Sequence, residues 1–525
     1  MAKRYLHLDL PHPNTAELIR HAFDLLRQEM AIPAQFPPQV MGEVAEVLAR
    51  KDAWPDHNSQ YLDLEFITID PQDSMDLDQA VHIAQVSTGY TVHYAIADVA
   101  AFVTPGGAID AEANARVTTF YAPEGRTPLH PPELSEGAAS LLPGQTRPAA
   151  VWRIDLDQHG VVTRAHVERG LVRSRNRLSY VAGQQFLDAL GKSGTDTAAA
   201  LAEAGIAPDF CEQGINTVIL LAQVGPLRER IEHDRGGVSL NVPEQEVRLD
   251  PDGSFELEFR SVSPIEDWNA QISLLTGVVA ADMMISAGVG FVRTLPQADE
   301  RDLARLRRTA DALELGWDKD TDYATFIKGI SGTTPRYAAF LYEATSLFRG
   351  AGYLAFDAKT IGPVPGEDKT KHHAIGANYA HVTAPLRRLA DRYATEICLS
   401  LCSGVAIPTW VYAALGELPN TMAAGSRRAS AFTRAGVEIV EAALLTSMVG
   451  QEFPAAVVDL DAKNPTRGEI MIAQPAVRAQ VRASSKLPLG RRITARLTEA
   501  DLDKRRIRFE WAGPTDSNSG IEKSQ

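Results

Sequence analysis

The sequence predicts an α+β protein. Three observations carry that expectation: a strand-like block from about Leu64 to Ser174, a run of helical patterns after it, and a return to short strands between about Gly450 and Gly513. Sheet first and helices after, without strict alternation, indicates segregated α and β structure. At 525 residues the chain is too long for one ordinary core, and about three domains is the prior for such a length. With 45% hydrophobic and 23% charged residues, it has ample apolar surface to bury.

The first block reads as helical. "NTAELIRHAFDLLRQEM" places apolar residues near a 3.6 period behind an Asn N-cap, and "PPQVMGEVAEVLARK" repeats the pattern after a Pro-rich link. Residues 1–58 are therefore expected to form a short helical N-terminal segment. "LEFITI", "AVHIAQV" and "YTVHYAIADVAAFV" are β-branched, apolar and separated by turn residues, as adjacent strands are. "PAAVWRIDLDQHGVVTRAHVERGLVRS" reads as an antiparallel pair about the His159-Gly160 turn. Helical patterns follow in "DTAAALAEAG", "INTVILLAQVGPLRERIEHD", "DWNAQISLLTGVVAADMMISAG", "DERDLARLRRTADALEL" and "PLRRLADRYATEICLSL". From Gly450, "FPAAVVDLD", "RGEIMIA", "VRAQVRA", "RRITARLTEAD" and "RRIRFEW" give five short strands, which fit an OB-type barrel over 448–513. The polar tail 514–525 is expected to fray.

No apolar run reaches the roughly 18 residues that span a bilayer, and the start lacks a secretory apolar core, so a cytoplasmic protein without membrane contact is expected. The three cysteines, Cys211, Cys398 and Cys402, have no zinc spacing, and Cys398 and Cys402, four apart in an apolar helical stretch, read as buried thiols. A net charge of −15 excludes a generic nucleic-acid coat. It leaves room for a local basic channel, because binding depends on where charge lies.

The sequence "FITIDPQDSMDLDQAVHI" carries the chemistry. Asp70, Asp73, Asp76 and Asp78 fall within nine residues at the exit of an apolar strand. Carboxylates so close repel unless a cation joins them or some stay protonated. Oxygen-rich sites of this kind suit Mg²⁺, with Mn²⁺ as the alternative. A solvated acidic loop is the competing reading. A calcium loop of the EF-hand type is excluded, since the required glycine and glutamate are missing.

"TIDPQDSMDLDQAVHI" resembles the acidic signature of the RNase II/RNB family of 3′→5′ exoribonucleases. Asp70, Asp76 and Asp78 match the first three of its four aspartates, and Gln79 stands at the fourth. "VHYAIADVAAFV", the tyrosine-x-proline turn at Tyr121 and Pro123, "GVSLNVPEQEV" and "HHAIGANYAHVTAPLRRLADRYATEI" are similar to later family segments. The resemblance covers residues from about 60 to 445. It implies an RNB catalytic domain, a mixed sheet with packed helices, over 59–447, followed by an S1/OB-like domain. The helical segment 1–58 stands where relatives carry cold-shock domains.

By that resemblance Asp70, Asp76, Asp78 and Gln79 form the metal set, Asp78 is indispensable for hydrolysis, and Asp76 is a ligand or aligns the terminal nucleotide. Arg387 matches the catalytic arginine that faces the scissile phosphate, with Arg388 beside it as a second RNA contact. Pro385 marks an expected helix start, whose backbone N–H groups also attract phosphate. Read without the family, Arg387, Arg388 and Arg392 are equally well the solvated face of a helix. Tyr121 matches the aromatic that stacks on a base. Gln79 offers a neutral oxygen in place of a carboxylate, so Asp73 is the candidate compensating ligand. Thr433, Ala384 and Leu389 also depart from the family pattern. The implied activity is metal-dependent hydrolysis of single-stranded RNA to 5′-mononucleotides, with no obligate protein partner. The alternative is a catalytically weakened RNB scaffold that binds RNA or a partner.

Overall fold

The structure is a computed structural model that describes residues 15–50, 54, 57–122, 125–194, 196–238, 244–249, 255–260, 262–330, 334–348 and 350–513. The Asn14 cap, Pro123, residues 239–243 of "GVSLNVPEQEV" and the tail 514–525 lie outside them.

Strands Phe66–Asp70, Gln79–Val86, Gly89–Ala97, Thr146–Asp157 and Val162–Ser179 pair in that order, and the sheet closes on itself as a barrel. The first four contacts around the barrel are antiparallel. Closure is parallel, with Ile67 opposite Asn176 and Asp70 opposite Ser179. Alternation puts Ile67, Ile69, Val81, Ile83, Trp152 and Ile154 in the core. The His159-Gly160 turn forms as expected, with Gly160 at φ 80°, where a Cβ would stand 2.9 Å from Leu227. Side chains other than hydrogen strain that conformation.

Helices Glu212–Asp234 and Pro264–Ala287 cover the barrel and pack on each other. They meet so closely at Gly225 that a Cβ there would be 2.3 Å from Trp268. Pro264–Ala287 has the length and mean hydropathy, 1.5, of a membrane span. It is nevertheless a core helix: Ile272, Leu275, Ala280, Ala281 and Met284 are fully buried in the main cluster, and its N-terminus carries the Ser263–Glu266 capping box.

The second barrel follows the long helix Leu418–Leu445. Its strands Glu452–Leu460, Arg467–Ala473, Ala476–Ala483, Arg492–Asp501 and Arg506–Trp511 close in the order first, second, third, fifth, fourth. The fifth runs parallel to the third, with Gln480 opposite Arg508, which is the OB arrangement. All five strands expected from the sequence are present.

The N-terminal helices Thr15–Glu29 and Pro38–Ala49 form, but they serve different cores. Ile19, Phe23 and Leu26 join Phe432 and the second barrel, and Arg505 reaches Glu29 at 2.9 Å. Val40 and Val44 instead pack with Tyr61, Phe102 and Ile109 on the first barrel. Each helix is amphipathic, and too short to be stable alone.

One helix start differs from expectation. The helix expected at Pro385 begins at Leu389 and ends at Ser403. Arg388 is extended (φ −136°, ψ 125°), because the backbone of 387–389 pairs with that of 117–119: Thr119 N–H donates to Arg387 C=O and Leu389 N–H to Val117 C=O. That pairing overrides the preference of proline for a first helical turn.

Candidate active site

The acidic segment joins the first two barrel strands. Asp70 ends strand Phe66–Asp70, and Pro71 opens a turn closed by Ser74 N–H on Pro71 C=O at 3.1 Å. Asp73 sits exposed in that turn. Beyond it Ser140 fixes the chain, its hydroxyl accepting from Leu77 N–H at 3.0 Å and donating to Met75 C=O at 2.7 Å. Leu77 is thereby buried, and Asp76 and Asp78 lie on either side of it.

The acids have distinct partners. Asp78 is 4% exposed; it accepts from Leu386 N–H at 2.7 Å and from Arg387 Nε at 3.2 Å. Burial pushes its carboxyl up to about 7, against the pull of Arg387 and the Leu386 N–H. Burial likewise pushes Asp70 up to about 6, opposed by Arg387 and reinforced by Asp76. Asp76 is ion-paired with Arg126, which also holds Glu136 at 2.9 Å. Asp70, Asp76 and Asp78 are thus within electrostatic reach of one another.

Gln79 starts the second strand with its amide fully engaged. Its Nε2 donates to Thr383 C=O at 2.7 Å, while its Oε1 accepts from the Tyr94 hydroxyl and, at 3.4 Å, from Ser273. The side chain therefore ties the second and third strands and helix Pro264–Ala287 to the loop before Arg387.

The three late arginines are not a solvated helix face, for each meets a different acid. Arg387, 44% exposed, reaches Asp78. Arg388 makes a forked pair with Asp391 at 2.7 and 3.0 Å, and Asp391 also accepts from Ala384 N–H at 2.7 Å. Arg392 is buried on Asp110 at 2.6 Å. Tyr121 lies 45% exposed on the hairpin Phe120–Ala122/Gly125–Thr127, directly across from Arg126.

Among the described residues, no group of three or more His, Cys, Asp or Glu side chains forms a ready-made metal cage. Sequence reasoning missed Arg126, Tyr94, Ser273, Ser140 and Arg177. Arg177 donates to Pro71 C=O at 3.3 Å, and its charge bears on Asp70. A basic residue in "EGRTP" or "SRNRLS" has no local pattern that separates it from a surface arginine.

A profile of the RNB domain matches residues 59–402, and one of the RNase II-type exonuclease C-terminal S1 domain matches 451–512. Ribonuclease R 2 of Lactococcus lactis is 26% identical over 372 residues, 69% of this chain and 52% of the relative. The chain spans about half the length of the curated relatives it matches. Among solved structures, Mycoplasma genitalium RNase R in complex with ribose-methylated single-stranded RNA has the same fold, with TM-score 0.79 and 19% identity over 94% of this chain and 78% of that one. Yeast Ssd1, described as a pseudonuclease, matches with TM-score 0.65 and 15% identity over 99% of this chain and 62% of that one.

Proposed function

The chain belongs to the RNB family, and on that premise we propose that it is a metal-dependent exoribonuclease that shortens single-stranded RNA from the 3′ end and releases 5′-mononucleotides. The observation that carries this reading is the pairing of a buried Asp78 with a half-exposed Arg387 at one end of a barrel, beside the exposed ring of Tyr121.

Asp78 is buried and Asp70 half-buried, and burial pushes both carboxyls up, so each favours a cation as partner. Such oxygen donors fit Mg²⁺ or Mn²⁺, and Mg²⁺ commonly takes one or two protein carboxylates with water and phosphate oxygens, so a closed cage is not required. Bound there, the ion would make water nucleophilic near neutral pH and offset phosphate charge. Arg387 binds the non-bridging oxygens of the scissile phosphate, where a planar guanidinium does better than an ammonium. Leu386 N–H and the Gln79 struts hold Asp78 and the Arg387 loop in register. Arg388, committed to Asp391, positions that loop. Tyr121 stacks on a base, which accepts any sequence.

A weakened RNA-binding scaffold is the second reading. Gln79, whose oxygen already accepts from Tyr94, and the likeness in fold to the pseudonuclease Ssd1 favour it. Incubation of 5′-labelled RNA with Mg²⁺ or Mn²⁺ separates the two: products shortened from the 3′ side support hydrolysis, and intact RNA that is still bound supports the scaffold.

A further inference from the structure

We infer that Arg126 is a built-in cation of the site, standing where a second divalent ion would otherwise bind, so that the centre takes a single one. The inference deepens the proposed function and rests on the metal site of that reading.

Arg126 belongs to the short strand Gly125–Thr127, whose partner strand carries Tyr121 directly opposite. Its guanidinium is forked between two acids. Nη1 pairs with Asp76 Oδ1, while Nε and Nη2 reach Glu136 Oε1 at 3.0 and 2.9 Å. The Arg126 side chain is 22% exposed and that of Asp76 only 11%, so the pair is shielded from the solvent that weakens surface ion pairs. Asp76 is the carboxylate whose charge bears on both Asp70 and Asp78. A cation held on Asp76 is therefore a cation inside the cluster.

Charge counting points the same way. In the deprotonated form that a metal ligand must take, Asp70, Asp76, Asp78 and Glu136 contribute four negative charges, and Arg126, Arg177 and Arg387 three positive ones, which leaves −1. Gln79 adds nothing. One divalent ion brings the cluster to +1, which a phosphodiester group neutralises. A second ion would bring it to +3 and would have to compete with the Arg126 fork for Asp76, against direct repulsion. Arg126 also joins the Tyr121 hairpin to the acidic loop, so the stacking platform and the carboxylates share one strut.

The test is Mn²⁺ titration of the full chain, reading free Mn²⁺ by its paramagnetic resonance signal, for the native protein, Arg126→Gln and Arg126→Lys. The native protein and Arg126→Lys, which keeps the charge, are expected to bind one equivalent. Arg126→Gln is expected to bind a second, with its fold checked by circular dichroism. Two equivalents on the native protein, one on folded Arg126→Gln, or none on either overturn the inference. Shortening of labelled RNA by the same native sample tests the proposed function separately. Hydrolysis with two equivalents overturns the inference alone, whereas one equivalent without hydrolysis supports it and removes the nuclease reading.

Discussion

Among the described residues the chain builds two five-stranded barrels, and the same kinds of side chain behave differently on each. On the C-terminal barrel, charges alternate outward and pair in solvent: Arg506 and Arg508 with Glu499, Lys504 with Asp501, Arg496 with Glu452. Hydrogen bonds from Arg506 and Lys504 hold the Glu499 and Asp501 carboxyls below the usual range. On the first barrel, Asp70 ends one strand and Asp78 precedes the next beneath the Leu386–Arg387 loop, and burial drives their carboxyls upward, to about 6 and about 7. The difference is the cover and not the strand. Leu386, 308 residues from Asp78 in sequence, supplies the hydrogen bond that seats its carboxylate. Exposed pairs are screened by water and salt, whereas a buried acid is left with a strong demand for a partner.

Removing that buried acid is expected to have the largest effect. Asp78→Asn should lower RNA hydrolysis by on the order of 10³-fold, the upper range for losing one key polar group in a site. Residual cleavage near the native rate, on a denaturing gel of 5′-labelled RNA, would break the contrast between the barrels. Arg387→Lys keeps the charge but loses the fork, and should cost roughly 10²-fold in turnover. Tight RNA binding with slow cleavage, read by filter binding beside the gel, would sharpen the assignment to the scissile phosphate.

Gln79→Asp tests whether the fourth position is a strut. It removes the donor to Thr383 C=O and sets a carboxylate against a carbonyl, so it should destabilise the protein by about 1–3 kcal/mol in a urea melt. Faster hydrolysis without loss of stability would show that the site accepts a fourth carboxylate, against the geometry.

The pH dependence follows from the same two acids. Because Asp70 and Asp78 hold protons more tightly folded than unfolded, the folded state gains most from them below about pH 4. That gain is lost as pH rises through about 6 to 7. In metal-free buffer their contribution to the melting temperature should therefore fall from pH 4 to 7. Asp78→Asn should flatten the trend, and an unchanged slope would discount the burial of Asp78. The smallest effect is expected on the second barrel, where Glu499→Gln should leave the melting temperature nearly unchanged at physiological salt.

Much of the frame was legible in the chain itself. Strand and helix periods, the OB-type end piece and the acidic signature with Gln79 in its fourth place are local patterns, and the RNB and S1 profiles match those regions. The start of helix Leu389–Ser403 was misread because Pro385 favours a helix locally, while Val117–Thr119, far away in sequence, pairs with the backbone there. The three arginines after Pro385 looked alike. Asp78, Asp391 and Asp110 are what distinguish them.

The sequence by itself determined the periods and the order of the motifs, since side-chain alternation and turn preferences act between near neighbours. Only the tertiary structure decided that the first and last strands of the first barrel close in parallel. It also decided that the two N-terminal helices divide between two cores, that Arg126 takes Asp76, and that Gln79 is bound by Tyr94 and Thr383. Each of these joins residues from 15 to several hundred positions apart. Such pairs are selected by packing and burial of the whole domain, for which no local sequence pattern stands.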